Sequence, residues 1–232
     1  GGAFSYNHGS LDSTGDVLKT KNKYDSFGLH AYGAYAPVDR VNLIGTLSWM
    51  HNSSDITQSI NAAGFNKADA DVKTNLFSLG ARAEANLPVG KANVIPHAGL
   101  RYVWAKSGSY DTKVDGKKVW GNTPDATNTF QLPIGVAVRG DIMTVSGWNV
   151  RPQADLTFIP QFGDTEQKTK LSNFNGVSDK LSGEFAGKFG TSVNLGVQAD
   201  KGPTTFGVRY GFTAGTKGKA DHAFKFEYRY RF

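Results

Sequence analysis

The closing stretch AFKFEYRYRF, residues 223–232, decides how this chain is read. Successive side chains of an extended strand point to opposite faces. Phe224, Phe226, Tyr228, Tyr230 and Phe232 therefore share one face, while Lys225, Glu227, Arg229 and Arg231 share the other. An isolated amphipathic edge strand could look like this once, but the same division recurs along the chain. Phe206, Val208, Tyr210 and Phe212 oppose Gly207, Arg209, Gly211 and Thr213; Trp148, Val150, Ala154, Leu156 and Phe158 oppose Asn149, Arg151, Gln153, Asp155 and Thr157. Phe130, Leu132, Ile134, Val136 and Val138 alternate with Gln131, Gly135 and Arg139, and Phe77, Leu79, Ala81, Ala83, Ala85 and Leu87 with Ser78, Gly80, Arg82, Glu84 and Asn86.

No charge falls on the apolar face of these strands. An Arg or Lys facing lipid at mid-membrane costs about 2–4 kcal/mol, so a lipid-facing surface must be free of them. The opposite face carries too many charges to form the core of a sandwich, where unpaired ions are prohibitive. The apolar face meets lipid, and the polar face lines a wet interior. The fold class read from this pattern is all-β: an antiparallel up-and-down transmembrane β-barrel of a Gram-negative outer membrane.

Composition bounds the alternatives. The chain has 232 residues, enough for one sizeable β domain, with 28 Gly, 15 Phe, 9 Tyr and no Cys. Disulfides and thiolate metal sites are excluded. No apolar run reaches the length of a transmembrane helix. A mean hydropathy of −0.38 is compatible with a barrel, because only alternate residues face lipid. The opening GGAFSYNHGS has neither a basic n-region nor an apolar h-region. It reads as the start of a processed chain or a fragment.

Period-two alternation predicts ten strands, at about 2–9, 26–36, 40–52, 73–87, 92–106, 129–140, 147–160, 187–200, 203–214 and 221–232. Short connections (37–40, 88–91, 140–146, 200–203) alternate with long ones (10–25, 53–72, 107–128, 161–186) and a shorter one at 215–220. Tight turns on the periplasmic side and long loops outside are the rhythm of a membrane barrel. Tyr35, Trp49, Trp104, Trp148, Phe158, Phe212 and Phe232 lie near strand ends, as interfacial girdles do, though β-propensity alone would favour them. Gly28, Gly80, Gly99, Gly135, Gly196, Gly207 and Gly211 fall on the polar face, either lowering bulk in a small lumen or marking bulges.

Several motifs together resemble the autotransporter β-domain family, the translocator of type V secretion. They are GGAFSY at the start, YDSFGLHAYGAY at 24–35, VIPHAGLRYVWAKSGSY at 94–110, WNVRPQADLTFIPQFGD at 148–164, GVRYGFTAG at 207–215 and DHAFKFEYRYRF at 221–232. The resemblance implies a twelve-stranded barrel preceded by a pore-threading helix and a passenger. GGAFSY matches the start of the family's third strand. The whole chain, 1–232, is accordingly expected to be one translocator domain lacking the helix and the first two strands; closure as ten strands is the alternative. The resemblance also implies that the barrel-assembly machinery reads the terminal row Phe224, Phe226, Tyr228, Tyr230 and Phe232 by strand addition.

The function expected from the resemblance is to anchor in the outer membrane and help export the chain's own passenger. Its expected partners are outer-membrane lipid, lipopolysaccharide, the assembly machinery and that passenger. A small pore or structural barrel without passenger is the second reading. An omptin-like protease is a third, raised by Asp69 and Asp71 in one loop and by Asp221 beside His222. Adjacent residues of a strand point to opposite faces, which disfavours the last pair as a dyad. No catalytic residue, cofactor or metal ligand is assigned; His8, His30 and His97 lie on separate strands with no metal spacing. Arg82, Glu84, Arg101, Arg139, Arg151, Asp155, Arg209, Lys225, Glu227, Arg229 and Arg231 are the expected lumen lining, either contacting a threaded polypeptide or forming cross-strand ion pairs. The net charge of +6 is spread over these faces and over loop lysines such as Lys19, Lys21 and Lys23, not gathered in a groove with stacking aromatics, so nucleic acid is not a partner.

Overall fold

A computed structural model describes residues 1–13, 18–62, 65–173, 176–184, 187–216 and 220–231. They form one antiparallel sheet of seventeen strands. The strands are β1 (Gly2–Asp12), β2 (Leu18–Val38), β3 (Val41–Ala62), β4 (Phe65–Ala85), β5 (Leu87–Val89), β6 (Ala92–Ser107), β7 (Tyr110–Val114), β8 (Lys117–Pro124), β9 (Thr127–Gln131), β10 (Ile134–Gly140), β11 (Ile142–Met143), β12 (Asn149–Gly163), β13 (Glu166–Asn173), β14 (Ser178–Glu184), β15 (Phe189–Lys201), β16 (Thr204–Gly215) and β17 (Ala220–Tyr230). Ten staves of an up-and-down barrel wall pair in chain order: β1, β2, β3, β4, β6, β9 with β10, β12, β15, β16 and β17. Strands β9 and β10 lie end to end as one stave, interrupted at Pro133, which has no N–H to give the ladder. The wall stays continuous there because Leu132 N donates to Pro160 O and Gly99 N donates to Pro133 O.

The tight connections sit where the sequence puts them. Gly90 and Gly202 turn the chain at φ 60° and 55°, and Arg40 does so at φ 65°. The long connections are different from their expected form. The predicted strands at 26–36, 40–52 and 73–87 extend to Leu18–Val38, Val41–Ala62 and Phe65–Ala85, so most of the supposed loop 53–72 is sheet. Beyond Phe27 both faces turn polar, and the apolar rows that mark a strand in sequence disappear while pairing continues. Residues 107–128 and 161–186 also hold paired strands rather than loops. β7 pairs with β8 and β4, and β13 with β8 and β14. A folded β extension thus rises from one end of the wall, built from Thr, Ser, Asp and Lys.

The packing is inverted relative to a soluble protein. Ile95 is the only buried hydrophobic residue among those described, whereas Ser26, Ser54, Ser78, His97, Asn122, Thr127, Thr129, Thr157 and Thr205 are buried. The accessible surface is 15037 Å², against about 10,000 Å² for a soluble monomer of this mass. The excess belongs to the lumen and to the apolar outer wall.

That wall is ordered by register. One outward row runs Leu29, Trp49, Phe77, Trp104, with Phe4 opposite Leu29. Phe27 meets Trp49 edge-on at 5.4 Å. At the tight-turn end Trp148 packs on Phe206 at 6.1 Å, beneath Lys201 Nζ. Along β2 the outward positions from Phe27 to Tyr35 carry no charge, a length of roughly 26 Å along the strand at 3.3 Å per residue. At the roughly 35–45° tilt of barrel strands it rises about 20 Å, most of the ~25 Å apolar band of a membrane barrel. Asp25, two residues beyond Phe27, is the first charge. Trp49 and Trp104 therefore mark the band's edge from within long strands, not at strand ends.

Val136→Arg, on the outer wall, should lower stability by about 2–4 kcal/mol in lipid vesicles. Ser192→Arg, which points into the lumen, should cost clearly less. The urea midpoint of the barrel signal in each variant measures the difference.

Candidate functional site

The inner face is laid out in rows by the same register. One row runs Ile95, Ala137, Asp155, Asn194, Gly211, Ala223. The next, toward the tight turns, runs Asn93, Arg139, Gln153, Gly196, Arg209, Lys225. Beyond it Arg151, Gln198, Gly207 and Glu227 align, followed by Asn149, Asp200, Thr205 and Arg229.

The charged residues of these rows are mostly tied to neighbours. Arg82 reaches Glu84 at 3.2 Å, Arg151 reaches Asp200 at 3.0 Å, and Arg229 reaches Glu227 at 2.7 Å. Arg101 Nε donates to Ser78 Oγ at 3.0 Å. Gln153, with its oxygen turned toward Arg209, accepts from both Nε and Nη2 at 3.1 Å. Lys225 lies beside Arg209 across the β16–β17 pair and lines a small cleft with Glu227. Arg231 N donates to Pro203 O at the rim. The cross-strand contacts among these, Arg151 with Asp200, Arg101 with Ser78 and Arg209 with Gln153, hold the wall in register.

The most enclosed polar contact joins His97 and Asp155. His97 Nε2 lies 2.8 Å from Asp155 Oδ2, and the His97 side chain is 2% exposed. Thr157 Oγ1 donates to the other carboxylate oxygen at 2.7 Å. His97 is on β6 and Asp155 on β12, with β10 between them. Gly135 makes the reach possible. A Cβ there would stand 2.7 Å from His97 Cε1 and 2.8 Å from Thr157 Oγ1, and closer still to Leu156 O. Sequence reasoning placed Asp155 in the lumen but left His97 unpartnered, because nothing in the spacing links strands two apart. Asp200, which also accepts from Thr205 and Gln198, is not in the expected lining because the sequence puts residue 200 in the tight connection 200–203.

Arg82, Arg139, Gln153, Asp155, Asn194 and Arg209 surround a cavity of about 320 Å³. Among the described residues, the Arg139 side chain has neither a hydrogen bond nor an ion pair, and the enclosed Arg82 Nε has no partner.

The four residues that raised a protease reading are engaged elsewhere or separated. Asp69 accepts from Lys67 Nζ at 2.8 Å and Thr57 Oγ1 at 3.0 Å. Asp71 stands opposite Asp55 on the outer extension. His222 is on the outer face, bonded to Tyr210 Oη at 2.7 Å and stacked on Phe212, while Asp221 faces inward beside Gln131 and Gln161. Along β17, Phe224 packs on Tyr210 at 4.9 Å and Tyr228 on Phe206 at 5.2 Å. Phe226 points outward with 78% exposure, and Tyr230 lies on the same row. Phe232 is outside the described residues.

On the outer extension, Lys67, and to a lesser degree the Thr57 hydroxyl, hold the Asp69 carboxyl below the usual carboxylate range. A depressed folded-state value stabilises β4 and its pairing with β3 above the ordinary carboxylate range, and that contribution is lost as pH falls through the lowered value, below about 4. The protection factors of the Ala68–Ala70 amides, taken relative to the intrinsic exchange rate at each pH, should therefore fall in acid in the native chain. In Asp69→Asn they should be lower already at neutral pH and change little in acid. Within the lumen, Asp155→Ala should cost about 1–3 kcal/mol by leaving His97 and Thr157 without their acceptor. Arg229→Gln at the rim should cost under about 1 kcal/mol. Denaturant midpoints in micelles check both.

Comparisons with known proteins agree with this architecture. A family model described as the autotransporter β-domain matches residues 1–211. The translocator domain of the autotransporter NalP from Neisseria meningitidis superposes with a TM-score of 0.67 at 19% identity, covering 100% of this chain and 75% of that one. The β-domain of the Bordetella autotransporter BrkA gives 0.62 at 16% identity, covering 100% and 90%. At such identities these two likenesses speak to the fold. No curated protein sequence matches.

Proposed function

Because the chain belongs to the autotransporter β-domain family, we propose that it is the outer-membrane translocator of its own passenger, anchoring that polypeptide and helping it to the cell surface. The family match over residues 1–211 carries the reading. The inverted wall supports it: an uncharged apolar exterior suits lipid, and a polar lumen lets a polypeptide pass without sticking to apolar side chains. The role calls for no catalytic group and no cofactor. The free energy of assembly and of passenger folding outside supplies the work.

Two partners follow from the outer surfaces. The barrel-assembly machinery is proposed to read β17, whose outward row Phe224, Phe226, Tyr228 and Tyr230 is exposed and whose partner within the described sheet is β16. Phe232 would complete that row. Lys19, Lys21 and Lys23 project outward from β2 just beyond the aromatic edge, a position suited to the phosphates of lipopolysaccharide. The polar lumen also favours a second reading, a passenger-free pore, which would show steady conductance in a planar bilayer.

An epitope-tagged passenger ahead of Gly1 should be cut by external protease on intact cells. Phe226→Asp should lower the heat-modifiable barrel several-fold and surface cleavage with it. A folded barrel whose passenger stays shielded in intact cells would sink the translocator reading. Normal assembly of Phe226→Asp would sink the role given to the terminal row.

A further inference from the structure

The lumen cavity bounded by Arg82, Arg139 and Arg209 is unlike the rest of the inner wall. Elsewhere on the inner wall Arg101, Arg151 and Arg229 each meet a hydroxyl or a carboxylate and stand one to a site. Here three guanidinium groups from three different staves, β4, β10 and β16, line one space of about 320 Å³. Their local acceptors do not exhaust them. Glu84 takes one Nη of Arg82, Gln153 takes one edge of Arg209, and Asp155 is committed to His97 and Thr157. The Arg139 side chain has no partner among the described residues and is open to the lumen, and Arg209 keeps its second Nη beyond the edge that Gln153 takes.

The floor of the cavity explains why the space exists. Ala137 lies between Ile95 and Asp155 in its row, next to Arg139 along β10. Ala137 therefore leaves room among these long donors, while Gly196 in the adjoining row lets the Gln153 side chain cross β15 to reach Arg209. Planar guanidinium forks match planar or tetrahedral oxygen anions, which accept two hydrogen bonds side by side.

We propose that Arg82, Arg139 and Arg209 form an oxyanion-binding pocket in the lumen, taking a carboxylate or a sulfate-like group over the floor made by Ala137. The pocket depends on lumen geometry and stands apart from passenger export. Its ligand is either a solute anion or an acidic side chain of a polypeptide lying in the lumen, and the two differ in how they can be delivered.

The test uses the purified full chain in neutral detergent micelles. Sodium sulfate is titrated against sodium chloride at equal ionic strength, and the temperature of heat modification is read. Specific binding to the folded barrel raises that temperature with sulfate. The expected result is a sulfate-specific rise in the native chain, weakened about tenfold or more in apparent affinity in Arg139→Gln/Arg209→Gln, as loss of charge-assisted hydrogen bonds requires. Ala137→Phe, which fills the floor without changing charge, should abolish the response while the barrel still folds. A sulfate response equal in all three proteins, or none in the native chain beyond that of chloride, overturns the pocket. A short peptide with one Glu is then compared with its Gln counterpart as a competitor of sulfate. Displacement by the Glu peptide alone assigns the ligand to a polypeptide, and no displacement by either assigns it to a solute anion. Export is not read in this experiment, so a failure of the translocator reading leaves its outcome unchanged.

Discussion

A backbone amide or carbonyl in hydrocarbon has no water to bond, so a membrane-crossing strand must find its partners on neighbouring strands. Everything else in this structure follows from that requirement. Each stave pairs with the staves next to it in sequence, and even the break at Pro133 is bridged by backbone bonds from the flanking staves. Once the backbone is satisfied laterally, the two faces of the sheet are free to meet two solvents. The outer face is uncharged and aromatic-edged; the inner face is built of Ser, Thr, His, Arg and Asp.

The polar interior raises a problem that soluble cores avoid. Long charged side chains must be arranged in a narrow space without leaving ions unpaired. The register solves most of this by placing opposite charges or amides near one another, as with Arg151 and Asp200. Glycine and alanine solve the rest by omission. Gly135 lets His97 pass over a whole stave to reach Asp155, and Ala137 leaves the arginines beside it with space in front of them. The small residues of the lumen thus set which polar groups can meet.

Past the aromatic edge the sheet no longer has lipid to face, yet it continues. The strands β2, β3 and β4 run on for many residues, and the hairpins β7–β8 and β13–β14 join them edge to edge. Pairing there is stabilised by backbone bonds and by cross-strand contacts such as Thr57 with Asp69, which Lys67 of the same strand also holds. The extension gives the barrel a structured outer surface instead of a fringe of loose loops.

The number of staves, the face each residue occupies and the membrane character were legible in the sequence, because period-two alternation over ten segments admits few other folds. The inward placement of Arg82, Arg139, Asp155, Arg209 and Lys225 followed from parity alone. Strand length beyond the membrane was not legible, since that reading relied on apolar rows and the extension has polar residues on both faces. Nor were the contacts among inward residues. Parity fixes the face of a side chain but not its height, and heights are set by the register between strands. His97 and Asp155 lie 58 residues apart in the chain, and only the stagger of β6, β10 and β12 brings them to 2.8 Å. The terminal row from Phe224 to Tyr230 belongs to the first category, and the arginine-lined cavity to the second.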